Sequence, residues 1–167
     1  INTILSQSEL NILVVEDNDF AGRAIKTLLS DELGCQVEIA SDGQEAIKLF
    51  KPGRYDLVFM DIGLPDMKGY DVCKHFRATE KGTSFNAPIL ALSAHASQED
   101  EELSWEAGMN EMLIKPLMKN QAEAVFDRYN LQSKLTSSEK TENSLEKENI
   151  AASKHALNVL VVEDHDF

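Results

Sequence analysis

The 167-residue chain is poor in the residues that brace small extracellular folds: it has two cysteines, four prolines and one tryptophan. Cys35 and Cys73 lie in apolar surroundings without CxxC spacing, so a reduced, cytosolic setting is expected rather than a disulfide. No apolar run approaches the roughly 20 residues of a membrane span, and no signal-peptide pattern opens the chain, so direct membrane contact is not expected. Basic residues are scarce: 16 Lys/Arg stand against 29 Asp/Glu, a formal charge of −13. That balance argues against non-specific binding to nucleic acid or anionic lipid. Most of the acid excess precedes residue 132, which is compatible with a cation site without showing one. The chain opens on Ile rather than Met, as a piece of a longer polypeptide would, and has room for one ordinary domain plus an extension.

What is present is organised around Tyr55–Gly69. Leu57–Met60 is an apolar run of the length and composition of a strand buried on both faces. It stops at Asp61, and the chain then turns through Gly63, Leu64-Pro65 and Gly69. An aspartate ending a buried strand before a Gly/Pro loop sits where open α/β sheets place their chemistry. Asp61 alone is equally readable as a turn residue capping the next helix.

The rest of the chain repeats this alternation. Asn11–Val15 is a second buried strand, ending at Glu16-Asp17, and Ala21, Ile25, Leu28 and Leu29 follow at helical spacing up to Gly34. Gln36–Ala40 alternates as a shorter strand, and Asp42 with Glu45 resembles a capping box opening a helix closed by Pro52-Gly53. Tyr70, Val72, Cys73 and Phe76 mark a third helix, and residues 79–87 read as a polar, mobile loop. Pro88–Leu92 is a strand ending at Ser93, and Ser97–Ala107 an acidic helix stopped by Gly108. Glu111–Ile114 is a short strand before Lys115-Pro116, and a last helix runs to about Leu131. Five βα units predict a parallel sheet with helices on both faces. Residues 132–156 turn polar and read as a linker.

In a parallel sheet the C-terminal strand ends share one edge, with neighbours about 4.8 Å apart. Glu16, Asp17, Asp61, Ser93 and Lys115 would then converge if the Asp61 strand lies between the first and fourth. Three clustered carboxylates call for a compensating charge, and hard oxygen ligands suit Mg²⁺. Lys115 adds a second positive centre and Ser93 a hydrogen-bond donor. Such a site fits phosphoryl transfer to a carboxylate, with Asp61, on the central strand, as nucleophile. Each residue also has a plainer reading. Glu16-Asp17 suits a helix N-cap, Ser93 a turn, Lys115 a solvated side chain, and Glu99–Glu102 a first turn favoured by the helix dipole. His95 reads as a loop imidazole near the site mouth, and Trp105 as either core or partner surface.

Leu13-Val-Val-Glu-Asp-Asn18, Phe59-Met-Asp-Ile-Gly-Leu-Pro65, Ala91-Leu-Ser-Ala94 and Leu113-Ile-Lys-Pro116 resemble, in order, the motifs of response-regulator receiver domains. The resemblance covers residues 10–131 and implies a flavodoxin-like (βα)5 fold with strand order 2-1-3-4-5. It implies that Asp61 is the phosphoacceptor, Asp17 a direct Mg²⁺ ligand, Glu16 a ligand acting mainly through water, and the Gly63 carbonyl a further ligand. Ser93 would be the switch hydroxyl and Lys115 the ion-pair partner of the phosphoryl group. Met112 stands where the family commonly has an aromatic switch residue, which puts an aromatic readout in question. Ala107–Pro116 looks most like receivers of hybrid sensor histidine kinases. The implied partners are a histidine kinase domain and a histidine phosphotransfer domain, in a cytoplasmic setting, with an inner-membrane anchor on the parent chain left open. The fragment itself would catalyse only its own phosphorylation and dephosphorylation.

Two other classes fit less well. A haloacid-dehalogenase-type phosphatase also forms an aspartyl phosphate but wants an acid two residues after the nucleophile, where Gly63 stands. A nucleotide- or flavin-binding module wants a glycine-rich first βα turn, and Glu16–Phe20 has no glycine and several acids. Finally, residues 9–20 recur at 156–167 with nine of twelve positions identical, an offset of 147 residues. A repeat at domain period reads residues 157–167 as the first strand of a second receiver, cut short. Tail-mediated self-association is the accompanying expectation.

Overall fold

A computed structural model describes residues 9–135. Five strands form one parallel sheet: β1 (Asn11–Val15), β2 (Gln36–Ala40), β3 (Leu57–Asp61), β4 (Ile89–Ser93) and β5 (Glu111–Ile114). Their order is β2-β1-β3-β4-β5, the flavodoxin-like arrangement that the receiver-domain resemblance implies. Five helices connect and cover them: α1 (Asp19–Thr27), α2 (Gly43–Leu49), α3 (Gly69–Glu80), α4 (Gln98–Glu106) and α5 (Lys119–Arg128).

The continuous apolar runs are the strands covered on both faces, for the reason that made them legible. All five residues of β3 and of β4 are buried, whereas edge strand β2 is half-exposed along most of its length. The sheet separates two apolar clusters. Leu13, Val15, Val58 and Met60 point into one with Phe50, Val72 and Phe76, while Ile12, Val14, Leu57 and Phe59 point into the other with Ile25, Val125 and Phe126. Leu10, assigned from sequence no place in a strand, is fully buried in the second cluster. Cys35 and Cys73 are both free and buried. Among the described residues no helix is long and apolar enough to cross a membrane.

Local details depart from the sequence reading in four places. The first helix does not run unbroken to Gly34 but widens into a π-helical turn over Leu28–Glu32. There the Ser30 hydroxyl donates to the Lys26 carbonyl at 2.7 Å, competing with the backbone as helix-interior serines do. The capping box at α2 is only half formed. Asp42 accepts from the Glu45 N–H at 2.7 Å, but the Glu45 carboxylate turns to the N–H and hydroxyl of Ser41. Residues 79–87 are not a free loop: α3 extends through Glu80, whose carboxylate accepts the Ala87 N–H, and Arg77 donates to the Ala87 carbonyl. Helix α5 stops at Arg128, Asn130 takes a left-handed conformation, Leu131 returns to the core, and residues 132–135 are helical again. The polar linker and the repeat at 157–167 lie outside the described residues.

Candidate functional site

The strand register brings the acidic ends together. Val15 of β1 lies opposite Met60 of β3, so Glu16 and Asp17 leave β1 level with Asp61. Asp61 pairs with Leu92 of β4, and Ser93 with Ile114 of β5, so Lys115 emerges one strand beyond Ser93. The lysine stem spans this gap: its Nζ donates to Asp61 Oδ2 at 2.8 Å and to Glu16 Oε2 at 2.7 Å. The carboxylates are the deeper partners, with side chains 1% exposed for Glu16 and 9% for Asp61 against 25% for Lys115.

Each carboxylate is also fixed by backbone. The Asn18 N–H donates to Glu16 Oε1 at 3.1 Å, and the Gly63 N–H to Asp61 Oδ1 at 2.8 Å. Asn18 caps α1 through its side chain, which accepts from the Ala21 N–H, so one residue ties the helix start to the site. The loop after Asp61 folds back sharply, with the Gly69 N–H donating to the Ile62 carbonyl at 3.1 Å. A Cβ on residue 69 would sit 2.3 Å from the Asp61 carbonyl oxygen, so only glycine permits this closure.

Burial works against a charged Lys115, but the hydrogen bonds to Asp61 and Glu16 outweigh it and hold the ammonium above the ordinary lysine value. Carboxylate oxygens of Glu16, Asp17 and Asp61 all lie within 4.8 Å of one another. Three oxygen donors at that spacing, one of them exposed to solvent, match the few protein ligands and retained waters of Mg²⁺.

Of the six residues singled out from sequence, Glu16, Asp61 and Lys115 are in direct contact and Asp17 and Gly63 adjoin them. Ser93 is at the same sheet edge, but its hydroxyl turns to the β4–α4 loop, donating to the His95 carbonyl at 2.5 Å. The His95 side chain is exposed. Met112 is half-buried against the first apolar cluster. Trp105 of α4 is 52% exposed, which settles it as a surface residue. Sequence reasoning missed Asn18 and Asp66. A cap signal was present at the first; nothing local marked the second.

Residues 12–127 match the response regulator receiver domain family. The aerobic respiration control sensor protein ArcB of Escherichia coli is 38% identical over 108 residues, which is 65% of this chain and 14% of ArcB. The chain thus spans a small part of that relative. Among solved structures, the receiver domain of sensor histidine kinase PA1611 from Pseudomonas aeruginosa, with magnesium coordinated in its active-site cleft, is 36% identical. Its TM-score is 0.64, over 72% of this chain and 97% of that one. The receiver domain of Ssk1 from Saccharomyces cerevisiae, crystallised with the histidine phosphotransfer protein Ypd1, is 28% identical with a TM-score of 0.67. It covers 76% of this chain and 92% of that one. With strand order, motif positions and site geometry in agreement, the chain belongs to the family of response-regulator receiver domains of two-component phosphorelays.

Proposed function

We propose that Asp61 is the phosphoacceptor of this receiver, taking a phosphoryl group from a phosphohistidine with Mg²⁺ held by Glu16, Asp17, Asp61 and the Gly63 carbonyl. The observation that carries this reading is the double hydrogen bond of Lys115 to Asp61 and Glu16, beside three carboxylates spaced for a cation. A carboxylate oxygen of Asp61 forms the new P–O bond while the donor P–N bond breaks, leaving its electron pair on the imidazole nitrogen. When bound, the metal neutralises charge on the phosphoryl oxygens. Lys115 keeps a cation beside the acceptor, and the Gly63 N–H orients the Asp61 carboxylate. Ser93 is the residue placed to respond, since its hydroxyl can exchange the His95 carbonyl for a phosphoryl oxygen.

The magnesium in the Pseudomonas receiver and the phosphotransfer partner of the yeast receiver support extending these features here. The donors are then a histidine kinase domain and a histidine phosphotransfer domain, and the repeat at 157–167 is read as the opening of a second receiver in series. Incubation with Mg²⁺ and acetyl phosphate should add one phosphoryl group by intact mass. Asp61→Asn should abolish the gain, as should EDTA, because uncompensated acids repel the incoming phosphate. Equal labelling of wild type and Asp61→Asn would sink the assignment.

A further inference from the structure

The β3–α3 loop is tethered to a helix that takes no part in the site described above. Asp66 Oδ1 accepts the Gly43 N–H and Oδ2 the Gln44 N–H, each at 2.9 Å, across 23 and 22 residues of sequence. These are the first two N–H groups of α2. Asp42 caps α2 only through the Glu45 N–H, which leaves these two donors, that of buried Gly43 included, for the loop to satisfy. The contact is also built for closeness: a Cβ on residue 43 would lie 2.5 Å from Met67 Cγ and 2.9 Å from Val72 Cγ2. Glycine there lets the loop and α3 settle directly on the start of α2.

Only Ile62, Gly63, Leu64 and Pro65 separate Asp61 from this anchor. Leu64 is buried in the first cluster, and the loop is closed at its base by the Gly69–Ile62 hydrogen bond. Gly63 itself is exposed and held at its N–H by Asp61. Asp66 thus anchors the far end of the short segment that carries the Gly63 carbonyl. We propose that Asp66 is a positioning residue for the metal site: its two bonds to the start of α2 hold the β3–α3 loop so that Gly63 and Asp61 present their oxygens together. The proposal rests on the reading of Gly63 and Asp61 as Mg²⁺ ligands.

Calorimetric titration with Mg²⁺ tests it on the full chain, alongside labelling by acetyl phosphate as a function of Mg²⁺ concentration. Asp66→Ala should weaken Mg²⁺ binding by about tenfold, as loss of a residue orienting metal ligands does. Labelling should shift to higher Mg²⁺ but reach the wild-type plateau. Asp66→Asn keeps an amide oxygen for one of the two N–H groups and should recover part of the affinity, and it carries the test if Asp66→Ala fails to fold. Asp71→Asn removes an exposed acid five residues on without touching the tether, and should bind as wild type does. Wild-type affinity in folded Asp66→Ala, or an equal loss in Asp71→Asn, would overturn the tether, the second by showing a general charge effect. A wild-type chain that binds no Mg²⁺ would instead overturn the metal-site reading on which the tether depends.

Discussion

Lys115 holds two carboxylates that are more deeply buried than itself, and its removal leaves both without a counter-charge. Lys115→Met should destabilise the metal-free protein by about 2 kcal/mol. That is below the roughly 3–5 kcal/mol of a fully buried pair, because part of the lysine remains in water. Added Mg²⁺ should recover part of the loss, and denaturant midpoints with and without the metal check both statements. The pH dependence follows from the raised lysine pKa. A group that binds its proton more tightly when folded contributes fully below its unfolded value, about 10.4, and loses that contribution as pH rises through the folded value. The stability gap between wild type and Lys115→Met should therefore stay constant through neutral pH and narrow only above about pH 10.4. A gap that closed near neutrality would mean that the ammonium is not what stabilises the cluster.

At the level of elements, the β4–α4 loop is held by the residue proposed to respond to the phosphoryl group. The Ser93 hydroxyl donates to the His95 carbonyl and accepts the His95 N–H at 3.2 Å, so redirecting it releases two contacts of the β4–α4 loop at once. Ser93→Ala should leave phosphorylation of Asp61 largely intact but blunt the change in amide exchange over residues 93–115 when beryllofluoride is added with Mg²⁺. A wild-type exchange response in the variant would remove Ser93 from the switch. The strands and their polar ends were legible because strands buried on both faces are written as continuous apolar runs, and a parallel sheet must align their ends. What escaped was set by contacts distant in sequence or by competing hydrogen bonds. The loop after α3 has a polar composition yet is secured by Arg77 and Glu80, and the capping role foreseen for Glu45 was lost to Ser41 next door. Asp66 carried no local signal because its partners, the N–H groups of Gly43 and Gln44, lie in another βα unit.

For the molecule as a whole, the described fold continues past the end of α5. After Asn130 the chain returns to place Leu131, only 9% exposed, in the second apolar cluster, and Leu135 packs against the same cluster. Lys134 pairs with Asp56, whose other carboxylate oxygen accepts the N–H of Asn11 at the start of β1. The residues after α5 thus fasten the end of the domain to the beginning of its central strands. All the site residues lie between Glu16 and Lys115, inside this closure. A chain of residues 9–135 should therefore unfold cooperatively at the full-chain temperature and be labelled on Asp61 to the same extent. Ending the chain at residue 129 instead removes Leu131 and the Lys134–Asp56 pair while leaving α5 whole. Burial of one leucine is worth about 2 kcal/mol, so Tm should fall by roughly 6–12 °C in a domain of this size. Because the site itself is untouched, labelling of the shorter chain at low temperature should persist. An unchanged Tm would show that these residues merely lie on the surface, whereas lost labelling in a still-folded chain would place part of the site beyond α5.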